Sequence, residues 1–94
     1  MQYNHGVPRD ALTIEVLGER FRFYFDRPGI LHIAAHGVTP DEAIEVFFSA
    51  EATHWHADHM RFESSTSTHG LYWTRHDYDG SIIIISCWRT EPEK

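Results

Sequence analysis

The histidines and arginines of this chain define the chemistry open to it. His54-Trp55-His56-Ala57-Asp58-His59 follows the pattern H-x-H-x-D-H. On an extended segment alternate side chains point the same way, so His54 and His56 could hold zinc or another divalent cation with His59, beside the Asp58 carboxylate. A polar loop after a helix can carry the same residues and bind nothing. No further His/Asp set follows downstream at a useful distance, so the favoured expectation is no metal and no cofactor. His32 and His36 are spaced i, i+4; on an α-helix they share a face and could line a metal site or a catalytic pocket. The plainer role has one packing and hydrogen-bonding while the other sits at a helix C-terminus, where a cation is favoured. Arg75, His76, Asp77 and Arg89 form a third set. A His or carboxylate can take the 2′-OH proton of RNA while Arg stabilises the developing charge, without a metal. Exposed cross-strand charges have the same composition. Trp55, Tyr72, Trp73, Tyr78 and Trp88 could stack bases on a sheet face, or serve as core or protein interface. Cys87, beside Trp88, has no base next to it in sequence and reads as structural.

These residues need elements to position them. Leu12 to Val16 alternates apolar and polar, Leu17-Gly18-Glu19 offers a turn, and Phe21, Phe23 and Phe25 alternate with Arg20, Arg22 and Tyr24. The pattern predicts a hairpin of strands 11–17 and 20–26 with one face buried. Asp26-Arg27-Pro28-Gly29 breaks the strand. A first helix is expected over 29–36, closed by Gly37 as a left-handed C-cap. Thr39 is a good N-cap, Pro40 suits the first helical position, and Glu42 completes a capping box, so a second helix is expected over 40–50. Val38 and Ala43 occupy the staple positions, and Ala43, Ile44, Phe47 and Phe48 supply an apolar face. Residues 52–64 are ambiguous, with a strand expected near 60–65. A strand over 71–78, an Asp79-Gly80 hairpin turn and a strand over 82–88 follow. The four successive isoleucines of the last strand predict a central position covered on both sides. The expected architecture is α+β: an antiparallel sheet with two helices packed on one face, in the order ββ-αα-βββ. Residues 1–10 read as a loose lead-in and 90–94 as a frayed tail of this single domain.

Ninety-four residues suffice for one small core, burying roughly 60–65% of the unfolded chain's surface. No run approaches a membrane span, and MQYNHGVPRD lacks the pattern of a signal peptide. One cysteine excludes an intramolecular disulfide and fits a reducing compartment, so a cytoplasmic location is expected. Fourteen acidic residues against eight basic ones give a net charge of −6 with histidine neutral. Nucleic-acid backbones are bound by Lys and Arg, and here the one lysine is Lys94. Generic nucleic-acid binding is therefore disfavoured, although folding can still gather a few arginines. The eight histidines would offset much of the negative charge near pH 6.

Phe23-Tyr24-Phe25-Asp26, then His36-Gly37-Val38-Thr39-Pro40-Asp41-Glu42-Ala43 and Val46-Phe47, and finally Ile84-Ile85-Ser86-Cys87-Trp88-Arg89, resemble the BrnT-type toxins. The resemblance extends over about residues 21–90. It implies a RelE-like fold and metal-independent RNA cleavage, with RNA and a cognate antitoxin protein as partners. By position it implies His36 as acid/base group and Arg89 as charge stabiliser, with Asp77 or Arg75 assisting. In this chain Ala35 stands where the family has a basic residue before the histidine, and Trp88 where it has the first of two arginines. Those changes, with the acidic charge, leave open a non-catalytic interaction domain that uses its aromatic sheet face for a partner or for self-association. A histidine-based metal binder centred on His54, His56 and His59 is the third alternative.

Overall fold

The computed structural model describes residues 11–90; the lead-in expected over 1–10 and all of the tail except Thr90 lie outside them. Thr90 is tied down, its N–H donating to Thr68 O at 2.8 Å. The elements are β1 (Ala11–Val16), β2 (Glu19–Arg27), β3 (Ile30–Leu31), a 3₁₀ turn (His32–His36), α1 (Pro40–Ser49), β4 (Ala52–His56), β5 (Arg61–Ser65), β6 (His69–Arg75) and β7 (Ile82–Arg89). The strands form one sheet in the order β1-β2-β7-β6-β5-β4, with β3 paired to β2. No helix among the described residues is long and apolar enough to cross a membrane.

This architecture corrects the expected one. There is one α-helix, not two, and the sheet has seven strands and is mixed, because β2 and β7 run parallel, Phe21 opposite Ile82. The segment expected as the first helix divides into the short β3 and a single 3₁₀ turn of five residues. Its start at Leu31 has no side-chain cap. Eight residues cannot repay the cost of helix nucleation without one. Gly37 does close the turn in the left-handed region, at φ 73°. The ambiguous stretch is a hairpin: the histidine-rich segment is edge strand β4, paired with β5 from Ala52–Ser65 to His56–Arg61. Between β6 and β7 the chain leaves the ladder at Arg75, three residues before Tyr78, and residues 76–81 form a wider loop. His76 N–H donates to Ser81 O at 2.8 Å across its base.

α1 forms as the local signals require. Thr39 Oγ1 accepts from Glu42 N–H at 3.2 Å, and Glu42 Oε1 accepts from Thr39 N–H at 3.3 Å. The helix and the 3₁₀ turn pack on one face of the sheet, burying Phe21, Phe23, Leu71, Trp73, Ile82, Ile84 and Cys87 against Ile33, Val38, Ala43, Ile44 and Val46. Phe47 lies edge-on to Trp73, with ring centroids 4.9 Å apart, while Phe48 at the rim stays exposed. β7 is central in the sheet, but only alternate residues are buried; Ile83 and Ile85 are half-buried on a face that carries no helix among the described residues. Among the described residues, then, helical cover lies on one side of β7 where cover on both was expected.

The 76–81 loop is held by Asp79. Its Oδ1 accepts from Ser81 N–H at 2.9 Å and from Ser81 Oγ–H at 2.8 Å, and its Oδ2 meets Arg22. Those bonds, Ser81 first and Arg22 after, hold the Asp79 carboxyl at about 2 against its usual 3.8. A folded-state value below the unfolded one gives stability that is present in full above about pH 4 and lost as pH falls toward 2. Asp79→Asn is expected to flatten the pH dependence of stability in that window, measured by urea unfolding between pH 2 and pH 5.

Candidate functional site

The corner where α1 begins gathers side chains from three elements. The capping box places Glu42 on the first turn of α1, with its carboxylate toward the end of the sheet. There His69, the first residue of β6, pairs with Arg89, the last of β7. Glu42 Oε2 accepts from Arg89 Nε at 2.8 Å and Oε1 from Arg89 Nη2 at 2.9 Å. His69 Nε2 lies 2.8 Å from Glu42 Oε2, and its Nδ1 lies 2.7 Å from Thr68 Oγ1. The His69 bond foremost, then the Thr39 amide and Arg89, hold the Glu42 carboxyl below its ordinary range, so it is ionised at neutral pH.

That grip orients Arg89. A guanidinium has five N–H donors in a planar fork, and Glu42 occupies only the Nε–Nη2 edge. Nη1 makes no hydrogen bond among the described residues and turns toward the 3₁₀ corner, where a Cβ on Gly37 would lie 3.6 Å from it. The corner residue before Gly37 is His36, exposed and without a hydrogen bond to its ring among the described residues. Arg89, far from His36 in sequence, therefore brings Nη1 to the turn that carries His36, and both residues are exposed.

The other predicted residues lie elsewhere. Arg75 and His69 stand at opposite ends of β6, about 20 Å apart for a strand of this length. Arg75 Nη1 donates to Glu19 at 3.2 Å and to Gly80 O at 2.8 Å. Asp77 lines an open cleft of about 730 Å³ with Trp55, Met60, Phe62, His76 and Tyr78. Arg75 and Asp77 are thus too distant to assist at His36 and Arg89. His32 is likewise not a partner of His36: its Nδ1 bonds Asp26 Oδ1 at 2.9 Å. In a 3₁₀ turn residues i and i+3 eclipse, so i and i+4 diverge by about 120° instead of sharing a face.

His54 and His56 do share a face of β4, but His56 Nε2 is 2.7 Å from Glu63 Oε1, and His59 lies beyond the strand in the turn to β5. Among the described residues no three His, Cys, Asp or Glu side chains are gathered as a metal site. Cys87 is fully buried, and burial above all pushes its thiol up to about 11, which favours the protonated form at neutral pH.

Two members of the corner are not marked as chemical groups by their sequence neighbours. Glu42 is visible there as a capping residue, and that role is what points its carboxylate at Arg89. His69 carries no local signal; only the β6–β7 register brings it to the corner. Compared with protein-family models, with curated proteins and with solved structures, the chain shows no match.

Proposed function

We propose that the corner of His36, Glu42, His69 and Arg89 cleaves RNA without a metal ion, the activity that the resemblance to BrnT-type toxins implies. The observation that supports this reading is the free Nη1 edge of Arg89 beside the His36-Gly37 corner. The imidazole of His36 takes the proton of a ribose 2′-OH. The 2′-oxygen attacks the adjacent phosphorus, and Arg89 stabilises the charge gathering on the non-bridging oxygens. The bond to the 5′-oxygen breaks, that oxygen takes a proton from water, the hydroxide left takes back the proton held by His36, and the product carries a 2′,3′-cyclic phosphate. Glu42 and His69 keep Arg89 in place and do not touch the substrate. A cognate antitoxin covering this corner belongs to the same proposal.

The test is cleavage of end-labelled RNA by purified protein in excess EDTA. His36→Ala is expected to lower the rate by about 10²-fold. An RNA with a single 2′-deoxy residue at the scissile position should resist. Unchanged cleavage by His36→Ala would place the base elsewhere. The second reading is a non-catalytic interaction domain. It is favoured by the exposed Trp55, Met60 and Tyr78 around the cleft at the other end of β6. No cleavage by folded native protein would select it.

A further inference from the structure

The face of the sheet opposite α1 carries a second feature of the corner. Trp88, the residue before Arg89, pairs with Gly70 across β6 and β7. Its indole lies flat over that glycine: a Cβ at Gly70 would collide with Cζ2, Cε2 and Nε1 of the ring, the last at 2.8 Å. Only glycine leaves room for a ring this close to the backbone. Next to it stands Tyr72, with ring centroids 4.9 Å apart, and Arg61 sets its guanidinium carbon 5.4 Å from the Tyr72 centroid. His56 closes the row edge-on to Tyr72 at 6.3 Å. The row runs from the Arg89 corner across β7, β6, β5 and β4.

From this arrangement we infer that the Trp88 indole, seated on Gly70 and backed by Tyr72 and Arg61, is a stacking platform for a base of single-stranded RNA bound at the Arg89 corner. The inference rests on the ribonuclease reading for its ligand. Gly70 lies against the indole on one side, and the ring is half-buried rather than enclosed. Bases stack on aromatic faces whatever their identity, and an adjacent guanidinium adds cation–π attraction. The cross-strand neighbours nearest the ring are polar, Ser86 and Glu63 beside Tyr72 and Ser65 beside Gly70, while Ile83 and Ile85 lie farther along β7. A protein interface would set an aromatic anchor in an apolar surround, whereas a base with its ribose and phosphate suits serines and an arginine. The one carboxylate in the row, Glu63, is engaged by His56, so Arg61 keeps its charge for a phosphate. In a chain of net charge −6 with a single lysine, stacking has to supply affinity that a basic groove supplies elsewhere.

The test uses the full chain and a labelled single-stranded oligonucleotide methylated at every 2′-oxygen, which blocks cleavage by 2′-attack. Fluorescence anisotropy gives Kd for the native protein, Trp88→Phe and Trp88→Leu. Trp88→Leu should bind about tenfold more weakly and Trp88→Phe within about threefold of native, because a phenyl ring still stacks. An abasic residue moved along the oligonucleotide should weaken binding to native protein by a similar factor at one position, a result that does not depend on any variant folding. Equal Kd for Trp88→Leu, or no position sensitive to loss of a base, overturns the platform. The platform and the nuclease fail separately. Trp88-dependent binding by a protein that leaves unmodified RNA intact sustains the platform and removes the catalysis. Cleavage with Trp88-independent binding does the reverse.

Discussion

Arg89→Ala is expected to lower RNA cleavage by about 10³-fold, most of it in kcat. Catalysis gains only from interactions stronger in the transition state than in the ground state. Attack by the 2′-oxygen concentrates charge on the non-bridging oxygens, and the Nη1 edge of Arg89 lies at the corner where that charge would develop. Glu42 fixes the other edge at 2.8 and 2.9 Å, so the guanidinium is aimed before substrate arrives. Arg89→Lys should recover little. An ammonium is a point charge that cannot hold Glu42 bidentately while presenting a second planar edge to phosphate. The loss would not reflect unfolding. The Arg89 side chain is 48% exposed, so its ion pair with Glu42 adds at most about 1 kcal/mol to stability after solvent screening. Single-turnover rates, set beside thermal unfolding of the same variant, check both statements. A drop confined to KM would make Arg89 a binding residue and leave the charge to another group.

The elements that proved legible in the sequence are those set by neighbours in the chain. Thr39, Pro40 and Glu42 specify the start of α1 within four residues, and Leu17-Gly18 joins β1 to β2 because both adopt positive φ. The errors fall where distant pairing decides. Ile30 and Leu31 carry a helical pattern but satisfy their backbone by joining β2 as β3. The four isoleucines indicate a central strand, but nothing in them says that its neighbour is the parallel β2. Asp79-Gly80 does mark the turn, but Asp79 uses its carboxylate to bind Ser81 and Arg22, and that widens the loop beyond two residues. The site divides the same way. His36 and Arg89 stand out by residue type beside recognisable neighbours. An assisting role for Arg75 and Asp77 comes from the resemblance alone, since the hairpin turn brings positions 75–77 near Ile83–Ile85 and leaves Arg89 farther along β7. The actual register places His69 opposite Arg89 and carries Arg75 to the far end of β6.

The site and the fold share one residue. Glu42 caps α1 and also clamps Arg89 and His69, so the carboxylate that starts the helix sets the geometry of the corner. The position of α1 on the sheet therefore decides where Nη1 points. What holds that position is chiefly the buried apolar face of α1 and the aromatic contact at its other end, because the bonds of Glu42 to the sheet lie at a partly exposed rim.

Phe21→Ala should therefore be the most destabilising single change, costing about 3–5 kcal/mol. Phe21 is 0% exposed and sits on β2 opposite Ile82, where the parallel pairing joins the β1–β2 hairpin to β7. Its ring meets Phe47 and Phe48 of α1 edge-on, with centroids 5.2 and 5.7 Å apart. Truncation empties a site walled by two strands and a helix, which can collapse only by moving the helix. A chain this short belongs near the low end of the usual 5–15 kcal/mol range, so the variant should lose most of its stability. Leu17→Ala, at a side chain 83% exposed, serves as the control, with an expected change within about 0.5 kcal/mol. Urea unfolding followed by tryptophan fluorescence measures both. Where Phe21→Ala is still folded, its cleavage rate should fall further than the unfolded fraction explains, since a displaced α1 takes Glu42 and the aim of Arg89 with it. A loss of less than about 1 kcal/mol would show that α1 is held to the sheet mainly by other side chains.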